Sequence, residues 1–269
     1  MIIDFHTHVF PDKIAKKTID YLAEKGNIPP FSAGSVAGLR KRMKEAGVTL
    51  AVNLPVVTNP AQFDSVNRFA AELNATNEAH TEKILSFAGI HPLCEDLEGK
   101  MRWIREQGFL GIKIHPDYQE TFIDDEAYVR ILTAAKELDL IVVTHSGVDG
   151  GYRDRPVRCT PERVLKVIRK VGHKKFVLAH YGANEMIKET MELLCGEDVY
   201  FDTAYMLRFI SKEDFLKILN KHGEDRILFA SDSPWSSMEG DVRILKSFDL
   251  NHHTEQKLLS DNAKGLLGI

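Results

Sequence analysis

The chain has 269 residues, of which 35 are basic and 39 acidic, so its net charge is −4. Its 43% content of apolar residues is typical of a folded globular protein and excludes collagen-like, disordered and small disulfide-rich classes. A mildly acidic net charge also gives no global support for nucleic-acid binding, which calls for a basic face.

The cysteines and the start of the chain indicate its compartment. Cys94, Cys159 and Cys195 lie far apart and form no Cys-x-x-Cys pair, so we expect reduced thiols. No apolar run approaches the roughly 20 residues of a membrane span. The opening residues Met1-Ile2-Ile3-Asp4 do not resemble a secretory signal, and we therefore expect a cytoplasmic protein.

Eight short runs rich in Ile, Val, Leu and Phe are predicted to be strands, and an amphipathic helical stretch follows each of them. In chain order these strands are Ile2–Phe5, Thr49–Leu54, Ile84–Ile90, Leu110–Ile114, Leu140–Thr144, Lys175–Ala179, Val199–Asp202 and Arg226–Ala230. They recur about every 32 residues, the length that a strand, a helix and two short loops need.

Several of the intervening helices have recognisable ends. Val36–Ala46 is followed by Gly47, which suits a left-handed cap. Thr160 and Pro161 predict a helix start, and the Ser-x-x-Asp spacing from Ser211 predicts a capping box.

The strands are apolar throughout, which is typical of a parallel sheet covered by helices on both faces. Eight strand–helix units without a linker favour a closed barrel over an open sheet. The sequence therefore predicts an α/β fold, a single (β/α)8 TIM barrel that occupies residues 1–269 as one domain.

Polar side chains stand at the carboxyl ends of four predicted strands. His6 and His8 close the first strand, His145 follows the fifth, His180 the sixth and Asp232 the eighth. Residues two apart in a strand project to the same side, and active sites of such barrels lie at this end. Imidazoles and a carboxylate gathered there predict a site for a divalent metal, zinc above all, with a position left for water.

Five segments of the chain resemble the signatures of the amidohydrolase superfamily. They are Asp4-Phe5-His6-Thr7-His8, Gly111-Ile112-Lys113-Ile114-His115-Pro116, Thr144-His145-Ser146-Gly147, Ala179-His180-Tyr181-Gly182 and Ser231-Asp232-Ser233-Pro234-Trp235. The chain is most similar to the amidohydrolase-related branch that includes aminocarboxymuconate-semialdehyde decarboxylase and γ-resorcylate decarboxylase.

The resemblance implies a role for each of these side chains. His6, His8 and His145 correspond to metal ligands, and Asp232 to a residue that both contacts the metal and handles the proton of a bound water. His180 corresponds either to a ligand of a second metal or to a catalytic acid or base, and we favour the acid or base. The resemblance leaves open whether one ion or two are bound.

Two further residues are expected to bind substrate. Lys113 either bridges two ions as a carboxylated lysine or offers its ammonium to a substrate carboxylate, which is the role we favour. Arg153 belongs to a loop with three arginines, which either holds a carboxylate or is solvated and paired with Asp149 and Asp154. His115 is expected at the rim of the site.

The primary functional prediction is hydrolysis of an amide, a lactone or a related bond in a small molecule by metal-activated water. The main alternative is decarboxylation of an unsaturated or aromatic acid. Phosphodiester hydrolysis of the TatD type is a minor alternative, and a non-catalytic barrel that binds a ligand is another. We expect a small substrate that carries a carboxylate, no nucleic-acid or membrane partner, and a homo-oligomer as one outcome.

Overall fold

The computed structural model describes residues 1–77 and 79–269, and it contains nine short strands. In order they are β1 (Ile3–Thr7), β2 (Leu50–Asn53), β3 (Lys83–Ser86), β4 (Ala88–Gly89), β5 (Gly111–Ile114), β6 (Ile141–Thr144), β7 (Phe176–Leu178), β8 (Tyr200–Asp202) and β9 (Ile227–Leu228). Every prediction of a strand is confirmed, although Phe87 divides the third predicted strand into β3 and β4.

The strands pair in chain order and all are parallel, β1 to β3 in one sheet and β4 to β9 in a second. The two sheets meet at Phe87, whose N–H donates to the carbonyl of Asn53 on β2 at 3.0 Å. On the other side, the N–H of Phe5 donates to the carbonyl of Phe229 just after β9 at 2.9 Å. The strands therefore form the predicted (β/α)8 barrel.

The side chain of Asp4 reinforces this junction between the first and last strands. Its Oδ1 accepts hydrogen bonds from the N–H groups of His6 at 3.2 Å and Ser231 at 3.0 Å. Burial raises the pKa of the Asp4 carboxyl to about 7, against the opposing effect of the hydrogen bonds from Ser231.

Eleven helices surround the strands across the described residues. They are α1 (Asp12–Gly26), α2 (Val36–Ala46), α3 (Phe63–Ala75), α4 (Leu97–Glu106), α5 (Glu126–Glu137), α6 (Pro161–Val171), α7 (Ile187–Leu193), α8 (Lys212–His222), α9 (Met238–Ser247), α10 (His252–Gln256) and α11 (Asn262–Leu267).

The three helices with predicted ends begin or end where the sequence predicts, but only some of the predicted capping hydrogen bonds are present. Gly47 ends α2 in the left-handed conformation, with φ at 71°. Thr160 occupies the N-cap of α6, but its side chain makes no capping hydrogen bond. The Ser211 hydroxyl accepts from the Asp214 N–H, whereas the Asp214 carboxylate bonds the hydroxyl instead of closing a reciprocal box.

The barrel interior is apolar up to the level of the polar side chains at its mouth. One buried cluster joins Ile3 and Phe5 of β1 to Ile141 and Val143 of β6, together with residues of β2, β7, β9 and α11. Because alternate residues of a strand share a face, the row through Ile141 and Val143 continues to His145.

All three cysteines are free thiols, as predicted. In the part of the chain that the structure describes, none of the helices is both long enough and apolar enough to span a membrane.

Candidate metal centre

His6, His8 and Asp232 bring three ligand atoms together at the barrel mouth, all within 4.8 Å of one another. The Asp232 Oδ1 lies 3.1 Å from the Nε2 of His8 and 3.6 Å from the Nε2 of His6. The two rings stand 5.0 Å apart, so the His-x-His pair faces one space as its spacing predicts.

The opposite ring nitrogens of the two histidines have fixed partners. The Nδ1 of His6 lies 2.8 Å from the Asp202 carboxylate, and the Nδ1 of His8 lies 3.0 Å from the Leu54 carbonyl. Both oxygens are acceptors, so in neutral imidazoles the proton sits on Nδ1 and the Nε2 lone pairs face Asp232. Three acceptor atoms that converge in this way could hold a cation between them, and outer partners of this kind are typical of metal-ligating histidines.

His145 joins this cluster through His180 rather than directly. Its Nδ1 lies 3.0 Å from the Nε2 of His180, and the His180 ring is 5.5 Å from the His6 ring. The Nδ1 of His180 lies 2.9 Å from the Ala204 carbonyl, which can only accept, so His180 carries its proton on Nδ1. In neutral rings His145 then donates from Nδ1, and its Nε2 is buried without a partner.

Lys113 lies inside the site and is 1% exposed. Its Nζ is 3.1 Å from the Nε2 of His6, the same atom that faces Asp232. Burial lowers the pKa of Lys113 to about 8, although the charges of Asp202 and Asp232 oppose the shift.

The protonation states suit metal binding, since imidazole ligands must be neutral. Burial lowers the pKa of His6 well below its ordinary value, and the charge of Lys113 adds to the effect. Burial likewise lowers the pKa of His145. Burial alone would raise the pKa of the Asp232 carboxyl, but the neighbouring imidazoles of His6, His8 and His180 outweigh it and keep that pKa below its ordinary value.

The backbone at both proposed catalytic residues is in the left-handed region, with φ at 61° for His180 and 66° for Asp232. Such conformations cost about 1–3 kcal/mol in residues other than glycine, and the surrounding structure must hold them. At His180 the N–H donates to the Asp202 Oδ1 at 2.9 Å, which fixes this turn.

His115 is buried, in contrast to its predicted place at the rim. Its ring stacks on His145 with centroids 4.2 Å apart and on Tyr118 at 3.9 Å. The Nε2 of His115 lies 3.4 Å from the Asp149 Oδ2. One ligand atom from each of His115, His145 and Asp149 falls within 4.8 Å of the others, so His145 has a second set of neighbours.

The three arginines of the loop after β6 pair differently from the prediction. One of the two alternatives paired this loop with Asp149 and Asp154, but Arg153 pairs with Glu185 and its Nη1 lies 3.0 Å from that carboxylate. The Arg153 side chain is 58% exposed, outside the buried cluster. The structure therefore places Lys113, and not Arg153, beside the candidate ligands.

Residue Asp202 was not singled out from the sequence, although a detectable signal was present. It ends the seventh predicted strand, just as the other site residues end theirs. Its two oxygens accept from the His6 ring and from the N–H groups of His180 and Ala204, so one carboxylate orients several parts of the site.

Three solved structures superpose on nearly the whole chain. An uncharacterised TIM-barrel protein from Bordetella bronchiseptica has a TM-score of 0.79 at 17% identity, covering 99% of this chain and 98% of its own. A dihydroxybenzoic acid decarboxylase from Polaromonas sp. JS666, with bound manganese and the inhibitor 2-nitroresorcinol, has a TM-score of 0.72 at 14% identity, covering 99% and 96%. The 5-carboxyvanillate decarboxylase of Sphingomonas paucimobilis has a TM-score of 0.69 at 14% identity, covering 100% and 99%.

At these identities the structural likeness establishes the fold. No curated protein matches this chain in sequence. The family model described as amidohydrolase matches residues 3–269, which is almost the entire length. The chain therefore belongs to the amidohydrolase family, as its signature segments predicted.

Proposed function

We propose that this protein decarboxylates an aromatic or unsaturated carboxylic acid with one divalent metal ion at the barrel mouth. His6, His8, His145 and Asp232 would hold the ion. The observation that carries the proposal is the convergence of three acceptor atoms from His6, His8 and Asp232, which a cation would satisfy. The sequence favoured hydrolysis, but the similar folds of two decarboxylases support the alternative reading.

The ligand atoms of the site define a class of metal ions and do not select one metal. Imidazole nitrogen and carboxylate oxygen suit several divalent first-row ions, zinc and manganese among them. Zinc was the prediction from sequence, and one of the similar structures contains manganese. We therefore propose a divalent ion of this class.

When bound, such an ion supplies a Lewis acid that holds and polarises the oxygens of the substrate. Decarboxylation breaks the bond between the ring or alkene carbon and the carboxylate, releases carbon dioxide and leaves a carbon that must gain one proton. The electrons of the broken bond form the new C–H bond with that proton, so the step needs a proton donor and no oxidant.

Asp232 and His180 are the two groups that can hold this proton. Asp232 presents a carboxylate beside His8, and His180 presents the Nε2 opposite its fixed Nδ1. A positioned acid of this kind contributes about 10²–10⁴-fold to a rate. The ammonium of Lys113 can bind the substrate carboxylate until it leaves, as its buried Nζ lies at the same cluster.

The test is carbon dioxide release from a panel of hydroxylated benzoic acids, with ion-loaded and chelator-treated protein. We expect release only from the loaded protein, and a loss of at least about 100-fold in kcat for Asp232→Asn and His180→Asn. Asp249→Asn is the matched control because Asp249 is also an aspartate with positive φ but is exposed. The proposal would be overturned if the protein hydrolysed esters, lactones or amides, with an oxygen atom from water entering the product, and released no carbon dioxide from any of the acids.

A further inference from the structure

Four histidines line the proposed metal centre, and in three of them the ring nitrogen that faces away from the centre has a hydrogen-bond partner. His6 bonds the Asp202 carboxylate, His8 the Leu54 carbonyl and His180 the Ala204 carbonyl. His145 is the exception, because its Nε2 is buried and has no partner within the described residues. A buried polar atom without a partner costs about 1–3 kcal/mol, so such an atom needs an explanation.

Asp149 is the side chain placed to complete this pattern. One of its oxygens lies within 4.8 Å of a ring nitrogen of His145 and of a ring nitrogen of His115. Its Oδ1 accepts from the Gly151 N–H at 2.8 Å, and its Oδ2 lies 3.4 Å from the His115 Nε2. The carboxylate is thus anchored through Oδ1, and Oδ2 has lone pairs available for a further hydrogen bond.

We infer that Asp149 is a positioning residue that accepts a hydrogen bond from the Nε2 of His145 when the Nδ1 of His145 binds the ion. The inference rests on the proposed metal centre. With an ion on Nδ1, His145 could no longer donate a proton from that atom to His180, and the neutral ring would carry its proton on Nε2. That proton needs an acceptor, and a carboxylate acceptor makes the imidazole a stronger ligand.

His115 has a defined part in this arrangement. Its Nδ1 accepts from the Tyr118 N–H at 3.3 Å, so in the neutral ring the proton sits on Nε2, the atom that lies 3.4 Å from the Asp149 Oδ2. The stack of Tyr118, His115 and His145 holds the two imidazoles side by side. His115 therefore lies against the carboxylate that we infer to orient His145.

A second ion among His115, His145 and Asp149 fits the geometry less well. The His115 and His145 rings are only 8° from parallel, with centroids 4.2 Å apart. A lone pair lies in the plane of its ring, so those of two stacked rings run side by side and do not converge on one ion. The His115 Nδ1 is already an acceptor, which leaves its Nε2 protonated.

The experiment measures Zn²⁺ affinity of the full chain by competition with a chelating dye. We expect Asp149→Asn to bind about 10–100-fold more weakly than the unsubstituted protein. His115→Phe keeps the ring stack but lacks the N–H to Asp149, and we expect a smaller loss. Asp154→Asn, an exposed carboxylate in the same loop, is the control and should bind Zn²⁺ normally.

Nitrogen NMR of the histidine rings gives a second readout that needs no variant to fold. In the unsubstituted protein, Zn²⁺ should move the His145 proton from Nδ1 to Nε2, where it exchanges slowly with solvent. A His145 Nε2 proton that exchanges freely, equal affinity for Asp149→Asn, or a second ion lost in that variant would overturn the inference. Failure of the unsubstituted protein to bind either Zn²⁺ or Mn²⁺ would instead overturn the proposed function, and the inference with it.

Discussion

The Nδ1 of His6 lies 2.8 Å from the Oδ2 of Asp202, across 196 residues of sequence. Both groups are almost completely buried, and the other oxygen of Asp202 accepts from the N–H groups of His180 and Ala204. The contact sets the ring of His6 so that Nε2 faces Asp232. One carboxylate therefore couples the first predicted ligand to the turn that carries His180.

Asp202→Asn is expected to weaken metal binding by about 10–100-fold. An amide that turns its NH2 to His6 would force the His6 proton onto Nε2, the atom that faces the proposed ion. Isothermal titration with Zn²⁺ or Mn²⁺ measures the effect. Asp198→Asn, just before β8 and paired with Lys174 and Arg226, is the control and should bind normally. Unchanged affinity in Asp202→Asn would show that His6 is oriented by other contacts.

Lys113→Met separates the two roles considered for this lysine. If its ammonium binds the substrate carboxylate, KM should rise about 10–100-fold through the loss of a charged hydrogen bond, with the number of bound ions unchanged. Steady-state kinetics and metal analysis of the same preparation test this. Lys175→Met, which removes an exposed salt bridge to Asp139, should change neither quantity. Loss of one of two ions in Lys113→Met would establish the bridging role instead.

Acid should destabilise the fold through two histidines remote from the site. Burial lowers the pKa of both His173 and His222 to about 4, from an ordinary value of 6.5. The unfolded chain therefore takes up protons that the folded chain does not, and stability falls as the pH drops from 6.5 towards 4. By pH 5 each residue should account for about 2 kcal/mol of lost stability.

Urea unfolding at pH 7 and pH 5 measures this loss. His222 bonds the Val199 carbonyl and accepts from the Gly196 N–H. His222→Gln should be less stable than the unsubstituted protein at pH 7 and should lose less stability between the two pH values. An identical pH dependence in both proteins would contradict the assignment.

Gly147→Ala should destabilise the protein for two reasons. Its backbone conformation is unfavourable for alanine, and the added methyl group would collide with neighbouring atoms. Gly147 has φ at 84°, and a Cβ built on it would lie 2.2 Å from the Asn184 N. Gly108 has a similar φ of 80° with nothing within 4 Å of its Cβ. Gly108→Ala should therefore cost only the strain, about 1–2 kcal/mol, and Gly147→Ala clearly more. Equal losses in chemical denaturation would show that the close approach to Asn184 relaxes freely.

The barrel could be predicted because its strands are short, apolar and regularly spaced. Because alternate residues of a strand share a face, the sequence also placed His6 and His8 on the same side at the end of β1. The break at Phe87 could not be predicted, since nothing in the run Ile84–Ile90 marks Phe87 itself as the point where strand pairing changes. Most strands are also shorter than the predicted apolar runs, whereas β1 is longer and extends to Thr7.

The hydrogen-bond partners of the candidate ligands could not be predicted from local sequence patterns. Asp202 is 196 residues from His6 and the Leu54 carbonyl is 46 residues from His8, and no spacing rule connects them to the histidines. The pairing of Arg153 with Glu185 depends likewise on how two loops meet. His115 was misplaced because a histidine before a proline resembles a rim residue, whereas the stack with His145 and Tyr118 buries it.

The most direct test of the proposed centre is an anomalous diffraction map of crystals of this protein grown with Mn²⁺. The account predicts one strong peak per chain, bonded to the side chains of His6, His8, His145 and Asp232, with Asp149 beside the far nitrogen of His145. A map without a peak among these four side chains, or with its strongest peak elsewhere, would contradict it.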